Sequence, residues 1–306
     1  MDAQQLAVLR EVAEQGSITG AAQVLHCTPS AVSQQVKALE ARAGTPLVER
    51  VGRGIRITPA GQELARSAVD VALALERAAA ACARFAHRPT GTVRVAAFQS
   101  GGKMFLPRLL AAVAADEGVA VECGEEDVTQ PAFVPLTGEY DIVIGHRPDR
   151  GYEWGGAGTR VVNLLREPLD IALPPGHPLA ERKALRPADL VGQPWITVRE
   201  HFPVADVVRV IAERSGAPLD VRHRINDFAL TEALVAAGHG IALLPRYTAD
   251  HRGGRRFALR PLEGVRAGRE VDALLRPDRA ERVVVKRVLR HLRAVARQVV
   301  ADFEPG

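Results

Sequence analysis

The chain has 306 residues, of which 47% are hydrophobic and 25% charged, a balance typical of a folded globular protein rather than a disordered or fibrous one. A formal net charge of +4 permits a polyanionic partner without requiring one. The three cysteines form no CxxC or Cys/His group, so the sequence predicts neither a disulfide framework nor a metal site. Because it has no signal-peptide pattern and no apolar run approaching ~20 residues, we expect a cytoplasmic protein that crosses no membrane.

The first part of the chain predicts two short helices joined by a turn. Apolar residues recur at three- and four-residue steps over residues 6–13, which predicts an amphipathic helix that ends near Gly16. Either Ser17 or Thr19 can cap a second helix that reaches about Leu25. The apolar face of each helix needs a partner.

A third helix is predicted to start at Thr28-Pro29, because threonine offers a capping oxygen and proline lacks the amide that would go unpaired at the first helical position. Its outer face carries only hydroxyl, amide and ammonium groups, from Ser30, Ser33, Gln34 and Lys37. Such groups suit base edges and phosphates in a DNA major groove. A merely solvated helix face has the same pattern, so the helix alone leaves both interpretations open.

A basic hairpin is predicted next, because two short β-prone runs flank Gly52-Arg53-Gly54. It would be the wing of a winged helix-turn-helix. Arg50, Arg53 and Arg56 would then face the sugar-phosphate backbone and add affinity that falls with salt. The alternative is a charged surface hairpin without a DNA contact.

A long helix is predicted from Pro59 to roughly Ala86, since Thr58-Pro59 repeats the capping signal. Its apolar residues alternate at four- and three-residue steps, at Leu64, Ala68, Val71, Leu75, Ala78, Cys82 and Phe85. Such a heptad seam on a helix about 40 Å long indicates pairing with a second copy of the chain. The alternative is a long amphipathic helix that lies on its own domain.

Beyond a Pro- and Gly-containing break at residues 88–91, alternating strand and helix signals predict a parallel α/β sheet in two units. Strands are expected at 93–97, 119–123, 140–145, 169–173, 195–198, 221–225, 241–245 and 269–275, and helices at 106–115, 203–215, 228–237 and 280–300. Cys123 is expected to be packed or inert because no basic neighbour activates it. The cations between residues 276 and 297 are expected to form a solvated face.

The motifs of the chain resemble those of the LysR-type transcriptional regulator family. They are Gly16-Ser17-Ile18-Thr19-Gly20-Ala21-Ala22, the run from Thr28 to Glu40, Pro46-Leu47, Glu49-Arg50, Thr58-Pro59-Ala60-Gly61, Gly138-Glu139-Tyr140-Asp141, Pro175-Gly176-His177-Pro178 and the run from Leu234 to Pro245. The family often has Arg where Gln34 stands and Phe where Val48 stands. The preferred base at the position of Gln34 therefore stays open.

The resemblance implies a mixed fold and a domain plan. The expected parts are a winged helix-turn-helix at 1–58, a dimerisation linker helix at 59–87, a hinge at 88–91 and an effector domain at 92–306. The effector domain is expected to resemble periplasmic solute-binding proteins, with lobe I at 92–163 and 269–306 and lobe II at 164–268. The implied function is sequence-specific transcription regulation modulated by a small molecule, without enzymatic activity.

The resemblance also implies site residues and partners. The DNA-contacting residues are expected to be Thr28, Pro29, Ser30, Ser33, Gln34, Lys37, Arg50, Arg53 and Arg56. The effector-binding residues are expected to be Gln99, Ser100, Thr129, Thr197, Arg199, His201, Phe202 and Asn226. The expected macromolecular partners are double-stranded DNA with a pseudo-palindromic site, RNA polymerase, and further copies of the chain in a homodimer and homotetramer. No cofactor is expected, and the small-molecule partner is expected to be a co-inducer or co-repressor.

Several alternatives stay open at this point. Ser100 can be only a helix cap, and Arg199 and His201 can be solvated surface. The regulator can be independent of an effector or controlled through oxidation of Cys123. The two-lobed domain can also belong to a solute-binding protein or an enzyme, although no nucleophile and base converge in the sequence.

Overall fold

The computed structural model describes residues 1–52, 54–83, 90–149, 152–155, 158–200, 202, 204–250 and 253–303. Some predicted features lie outside these described residues, namely Arg53, Phe85, His201, the end of the linker helix at 84–87 and hinge residues 88 and 89. Within the described part of the chain, no helix is long and apolar enough to cross a membrane.

The N-terminal domain has the predicted helix-turn-helix and hairpin. Its elements are α1 Ala3–Gln15, α2 Ile18–Val24, α3 Pro29–Ala43, β1 Val48–Val51 and β2 Gly54–Ile57. Local signals define these helices: the side chain of Ser17 accepts from the Gly20 amide, and that of Thr28 accepts from the Ala31 amide. Gly44 ends α3 at a φ of 70°, where a side chain would be strained. The predicted boundaries are confirmed, with Ser17 rather than Thr19 as the cap.

The linker helix α4 spans Pro59–Ala83 and is held firmly by the N-terminal domain at its first turn. A Cβ atom on Gly61 would collide with the backbone carbonyl of Leu47, so this glycine permits the close approach. Leu64 packs with the core cluster that contains Leu9 and Leu47, and Ala68 is only 3% exposed. The predicted seam is therefore wrong at Ala68, which its own chain already buries, while Leu64 is partly buried by the same domain.

The rest of the predicted seam remains on an open face of α4. Its exposed members are Val71, Leu75, Ala78 and Cys82. Leu75 is 55% exposed and Val71 is 37% exposed, which is unusual for large apolar side chains. The described part of the chain leaves this stripe uncovered.

A mixed sheet, rather than the expected parallel one, forms the C-terminal domain. Its strands are β3 Gly91–Ala97, β4 Val119–Glu125, β5 Ile142–Pro148, β6 Arg160–Leu173, β7 Pro194–Thr197, β8 Asp220–Arg224, β9 Ile241–Pro245, β10 Ala258–Arg260 and β11 Gly268–Leu275. Their spatial order is β4-β3-β5-β11-β6-β9-β7-β8, with β10 beside β6. The parallel prediction fails at β11 and β6, which run antiparallel to their neighbours because the chain crosses between the two units on these strands.

The helices of this domain are α5 Gln99–Val113, α6 Phe133–Leu136, α7 Ala205–Ser215, α8 Phe228–Ala236, α9 Pro277–Glu281 and α10 Val283–Phe303. Helix α5 begins at Gln99 rather than near Leu106, although Pro107 lies inside it. The earlier start is stabilised by packing, since Phe105 is fully buried and Gly101 lies against the ring of Phe98, where a Cβ would be only 2.7 Å from ring carbons. The predicted last helix is divided at Arg282 into α9 and α10.

Separate apolar cores define the two lobes. Lobe I is built around β3, β5 and α10, whereas lobe II is built around β7 and β9. Strand β6 contributes Leu165 to the core of lobe I and Leu169 to the core of lobe II. On the way back, Ala267 lies in the core of lobe II and Val271 of β11 lies in the core of lobe I. The chain therefore passes from one core to the other along β6 and again on entering β11.

The predicted solvated face on the last helical segment is correct only for its second half. Arg290, Arg293 and Arg297 are exposed. Arg276 and Arg287 instead form ion pairs, and the paired Arg287 and then His291 lower the pKa of Asp116 to about 2. The prediction failed there because the acidic partners come from distant parts of the chain.

Candidate functional site

A cavity of about 430 Å³ opens between the lobes, at the crossing strands and the N-termini of α5 and α8. Phe98, Ser100 and His146 line it from lobe I, while Arg199 and Phe228 line it from lobe II. A cleft between two domains or lobes is the ordinary position for a small-molecule site. The described side chains of this cavity show what chemistry it offers.

A buried ion pair forms the floor of the cavity. Arg269 on β11 is 2% exposed, and Glu167 on β6 is fully buried. Arg269 Nε donates to Glu167 Oε2 at 2.8 Å, while the Tyr247 amide donates to Glu167 Oε1 at 3.2 Å. The guanidinium carbon of Arg269 lies 4.8 Å from the centroid of the Phe98 ring. The charge of Arg269 is thus compensated within the protein, and its position is fixed from several sides.

Ser100 is oriented by this ion pair. Arg269 Nη2 donates to Ser100 Oγ at 2.8 Å, so the hydroxyl acts as the acceptor of that bond and its own proton can be donated into the cleft. Ser100 does not cap the helix, since Phe98 occupies the N-cap position and makes no side-chain capping bond. The interpretation of Ser100 as only a cap is therefore wrong. The first N–H groups of α5 therefore remain available to donate hydrogen bonds to another acceptor.

His146 adds a buried polar group to an otherwise aromatic wall. It is 4% exposed, and its ring centroid lies 4.5 Å from that of Phe98 and 6.5 Å from that of Phe202. No described residue forms a hydrogen bond with its Nδ1. Burial, followed by the charge of Arg269, lowers the pKa of His146 well below its ordinary value of 6.5. The imidazole is therefore neutral at physiological pH.

The opposite wall of the cleft comes from lobe II. The Arg199 amide donates to Asn226 Oδ1 at 2.9 Å, which joins the turn after β7 to the turn before α8. Asp227 caps α8 by accepting from the Leu230 amide at 3.0 Å. The side chains of Arg199 and Arg224 are exposed at this rim. The cleft thus has an uncapped helix N-terminus on one side and guanidinium groups on the other.

The structure brings most of the predicted effector residues to this cleft. Those that line it are Gln99, Ser100, Arg199, Phe202 and Asn226. Thr129 and Thr197 do not line it and are corrections. Thr129 precedes a 3-10 turn, at an exposed position, and Thr197 on β7 faces grooves elsewhere in lobe II. His201 lies outside the described residues.

Sequence reasoning missed Glu167, Arg269 and His146. The sequence does not single out the first two, because β6 also carries Arg166 and Asp170 and β11 also carries Glu270 and Asp272. No local pattern distinguishes His146, because its role comes from the rings that surround it.

The predicted DNA-contacting surface is exposed as a continuous face of α3 and the hairpin. Thr28, Pro29, Ser30, Gln34, Lys37 and Arg50 are exposed, and Ser33 is partly exposed. Val32, Val36 and Leu39 on the opposite face are at most 2% exposed. Arg56 donates to Glu49 at 2.7 Å across the hairpin while remaining exposed. The apolar face of α3 therefore packs inward and its polar face is free of apolar residues.

Among the residues that the structure describes, no cluster of His, Cys, Asp and Glu could hold a metal ion. Cys27, Cys82 and Cys123 are each free and exposed. Of the two expectations for Cys123, packed or inert, the first fails because β4 lies at the edge of the sheet. Partial burial raises the pKa of its thiol, which disfavours the reactive thiolate and agrees with the second.

Comparison with known proteins identifies both halves of the chain. Residues 3–62 match the model of the bacterial regulatory helix-turn-helix protein, lysR family, and residues 86–297 match the LysR substrate binding domain. The chain is 32% identical over 250 residues to the HTH-type transcriptional regulator CbbR of Xanthobacter flavus, covering 80% of this chain and 72% of that protein. It is 28% identical over 268 residues to a probable hydrogen peroxide-inducible genes activator of Mycobacterium avium, covering 87% and 85%.

Solved structures match the fold along nearly the whole chain. A full-length OxyR variant from Pseudomonas aeruginosa is similar with a TM-score of 0.67 at 20% identity, covering 97% of this chain and 98% of that one. Full-length CbnR in complex with its target DNA is similar with a TM-score of 0.52 at 25% identity, covering 97% and 100%. The winged helix-turn-helix and the two-lobed domain therefore occur together in these regulators.

The neutral state of His146 predicts a pH dependence of stability. Below a pH of about 6.5 the unfolded chain protonates this histidine whereas the folded chain does not, so the unfolded state binds more protons and the free energy of unfolding decreases as the pH falls. His146→Asn removes this contribution, so we expect the variant to lose less stability than the wild type between pH 7.5 and 5.5 in urea unfolding.

The matched control for this test is His26→Asn, which changes an exposed turn residue whose φ of 50° asparagine tolerates. That variant should keep the pH dependence of the wild type. An equal loss of stability in the wild type and in His146→Asn would contradict the assignment of His146 as neutral.

Proposed function

The chain belongs to the LysR family of DNA-binding transcriptional regulators, and from that premise we propose that α3 reads the major groove while the interlobe cleft binds a small anionic effector. The chain is a regulator, not an enzyme. The observation that carries the effector assignment is the Ser100 hydroxyl, held as a donor by the Arg269–Glu167 pair at an uncapped helix N-terminus.

The chemistry of α3 supports its role in reading bases. Gln34 can make two hydrogen bonds to adenine, Ser30 and Ser33 can donate or accept at base edges, and Lys37 can reach guanine or a phosphate. The hairpin supports a different role, because Arg50 and Arg56 sit where the wing of such a domain meets the sugar-phosphate backbone. The DNA-contacting set that we propose is Thr28, Pro29, Ser30, Ser33, Gln34, Lys37, Arg50, Arg53 and Arg56, of which Arg53 lies outside the described residues.

Substitutions on the two surfaces should therefore change DNA binding in different ways. Gln34→Ala should reduce discrimination at one base pair by about 1–3 kcal/mol, with little change in the salt dependence. Arg50→Ala should weaken binding to specific and nonspecific DNA alike and lower the slope of log K against log salt by about 1. Both effects can be measured by fluorescence anisotropy over a series of salt concentrations and operator variants.

Arg214→Ala is the control for these variants, since it removes an exposed arginine from α7 in the C-terminal domain. It should leave affinity, base preference and salt slope unchanged. The wing assignment is wrong if Arg50→Ala leaves the salt slope at the wild-type value.

The charge pattern of the cleft supports an anionic ligand. The first amides of α5 carry the positive end of the helix dipole, and the Ser100 hydroxyl, which accepts from Arg269, keeps its own proton to donate. Arg199 and Arg224 at the rim add cations; the carboxylates that also line the cleft are Asp127 and Asp227, of which Asp227 is engaged as the cap of α8. A carboxylate or phosphate fits these donors, and the rings of Phe98 and Phe202 offer contact area to the rest of a small organic acid.

A thermal-shift screen of small organic acids and phosphorylated metabolites tests this assignment. A ligand at 100 times its Kd should stabilise the folded chain by about 2.7 kcal/mol. Ser100→Ala should weaken that ligand by about 1.5–3 kcal/mol, because a hydrogen bond to a charged group is lost. Ser67→Ala changes an exposed hydroxyl on α4 and should retain the full shift. A ligand that stabilises wild type and Ser100→Ala equally would place its site elsewhere.

The open face of α4 supports a homodimer. The exposed stripe formed by Val71, Leu75, Ala78 and Cys82 keeps the four- and three-residue steps of a coiled-coil seam. A two-fold dimer on this stripe would present two copies of α3 to the half-sites of a pseudo-palindrome. By analogy with the family, we also propose that two such dimers assemble into a tetramer, that the protein is cytoplasmic and that it contacts RNA polymerase.

Leu75→Glu should disrupt this dimer, because two carboxylates would then face each other across an apolar seam. Sedimentation velocity should show smaller particles than for the wild type at the same concentration, and affinity for the full DNA site should fall. Val191→Glu places the same charge at an exposed apolar residue of the C-terminal domain and should sediment as the wild type does. Unchanged sedimentation of Leu75→Glu would rule out this seam.

Control by thiol oxidation is a weaker candidate for this chain. A name that refers to hydrogen peroxide-inducible genes is that of the Mycobacterium avium relative and not of this chain. In this chain the raised pKa of Cys123 disfavours its thiolate, and no described residue of the cleft is a cysteine. A normal response of Cys123→Ser to oxidant would remove this candidate.

A further inference from the structure

Charged side chains of α1 are buried against the C-terminal domain of the same chain. We call these residues the interdomain cluster: Arg10, Glu11 and Glu14 of α1 with Arg276 and Asp278 at the start of α9. Arg276 Nη2 donates to Glu11 Oε2 at 2.8 Å and also contacts Glu14, while Arg10 Nη1 donates to Asp278 Oδ1 at 3.0 Å. The cluster therefore joins the two domains by more than one ion pair.

The burial of the cluster separates it from ordinary surface pairs. The side chains of Arg276 and Glu11 are each 6% exposed, and that of Arg10 is 5% exposed. Among the residues that the structure describes, Nη2 of Arg10 and Nε of Arg276 are buried and meet no hydrogen-bond partner. Desolvated charges of this kind are tolerated only in one geometry, since any other leaves them unpaired in a low-dielectric environment.

The N-terminal domain does not need these charges for its own core. That core is built from Leu9 and Val12 of α1 with the inner face of α3, and Arg10 and Glu11 lie on a different face of α1. The ion-pair partners of Arg10 and Glu11, Asp278 and Arg276, belong to the C-terminal domain, while α1 also packs along the linker helix α4. Helix α4 also packs against α9, so the docked arrangement is continuous with the linker.

We infer that Arg276 is a positioning residue that holds the DNA-binding domain against the effector domain of its own chain and thereby sets where α3 points. The inference rests on the proposed function only in that α3 is the helix that reads DNA. Arg276 follows β11, and the other end of β11 carries Arg269 into the effector cleft. Strand β11 is paired on both edges, with β5 and β6, so its two ends move as one element.

Loss of Arg276 is expected to separate the domains rather than unfold them. The carboxylates of Glu11 and Glu14 can regain water if α1 and α4 move away from α9, because the apolar cores of the two domains are separate and the packing of α4 on α9 is then the contact that remains to be broken. The freed domain would then sample many orientations. A distance between the domains measures this directly.

Electron–electron double resonance can use native cysteines of the full-length protein. Cys27 in the N-terminal domain and Cys123 on β4 are exposed, and Cys82→Ser removes the third thiol. Dilution of spin-labelled chains into an excess of unlabelled protein isolates the distance within one chain. We expect one narrow distance distribution in the otherwise wild-type background, and a broad distribution at longer distances for Arg276→Ala. Glu11→Gln should give an intermediate distribution, because Arg276 keeps Glu14 as an ion-pair partner.

Arg287→Ala is the matched control, because it removes a bidentate arginine–carboxylate pair with Asp116 that lies wholly within the C-terminal domain. It should retain the narrow distribution. The inference is overturned if the background itself gives a broad distribution, if Arg276→Ala stays narrow, or if Arg287→Ala broadens as much as Arg276→Ala does.

DNA binding distinguishes a positioning role from general damage. Arg276→Ala should bind a duplex with one half-site within about twofold of the wild type, yet bind the full two-half-site duplex at least several-fold more weakly. A variant that fails on both duplexes would mean that the residue supports folding of the domain, and one that retains both affinities would mean that docking has no role in DNA binding. Failure of the wild type to bind any duplex would instead overturn the proposed function.

Discussion

The buried ion pair between Glu167 and Arg269 is the contact on which the rest of the cleft depends. Removing two charges from water costs several kcal/mol per ion, and the cost is offset only when each charge is paired and further hydrogen-bonded. Here the Tyr247 amide donates to Glu167, and Arg269 donates to Ser100. Because the pair joins β6 to β11 where both strands cross between the lobes, it fixes the floor of the cleft, and its Arg269 occupies the Ser100 oxygen as a hydrogen-bond acceptor.

The same strand β11 relates the effector cleft to the DNA-binding domain. Arg269 lies in the cleft near its start, and Arg276 docks α1 just beyond its end. A ligand can shift the placement of α3 only if it binds the docked and undocked arrangements unequally. The element that would carry a ligand's effect in such a mechanism is then a short strand paired on both edges, rather than a chain of flexible side chains.

The N-terminal domain could be predicted almost residue by residue because its signals are local. Ser17, Thr28 and Gly44 each mark a helix end through a cap that depends on neighbours within a few residues. Prediction failed in the C-terminal domain where packing overrode local signals, as at α5, whose early start needs the contact of Gly101 with Phe98. It also failed for Arg269 and His146, since their roles depend on partners that are far away in sequence.

The central claim is that occupancy of the cleft and placement on DNA are thermodynamically linked. The most direct test takes a small acid that stabilises the wild type but not Ser100→Ala, and measures its affinity by calorimetry with and without a saturating operator duplex. Linkage requires that DNA change the affinity for the acid by the same factor as the acid changes the affinity for DNA. We predict that this factor differs clearly from 1 and has the same value in both directions. A factor of one in both directions would contradict the account.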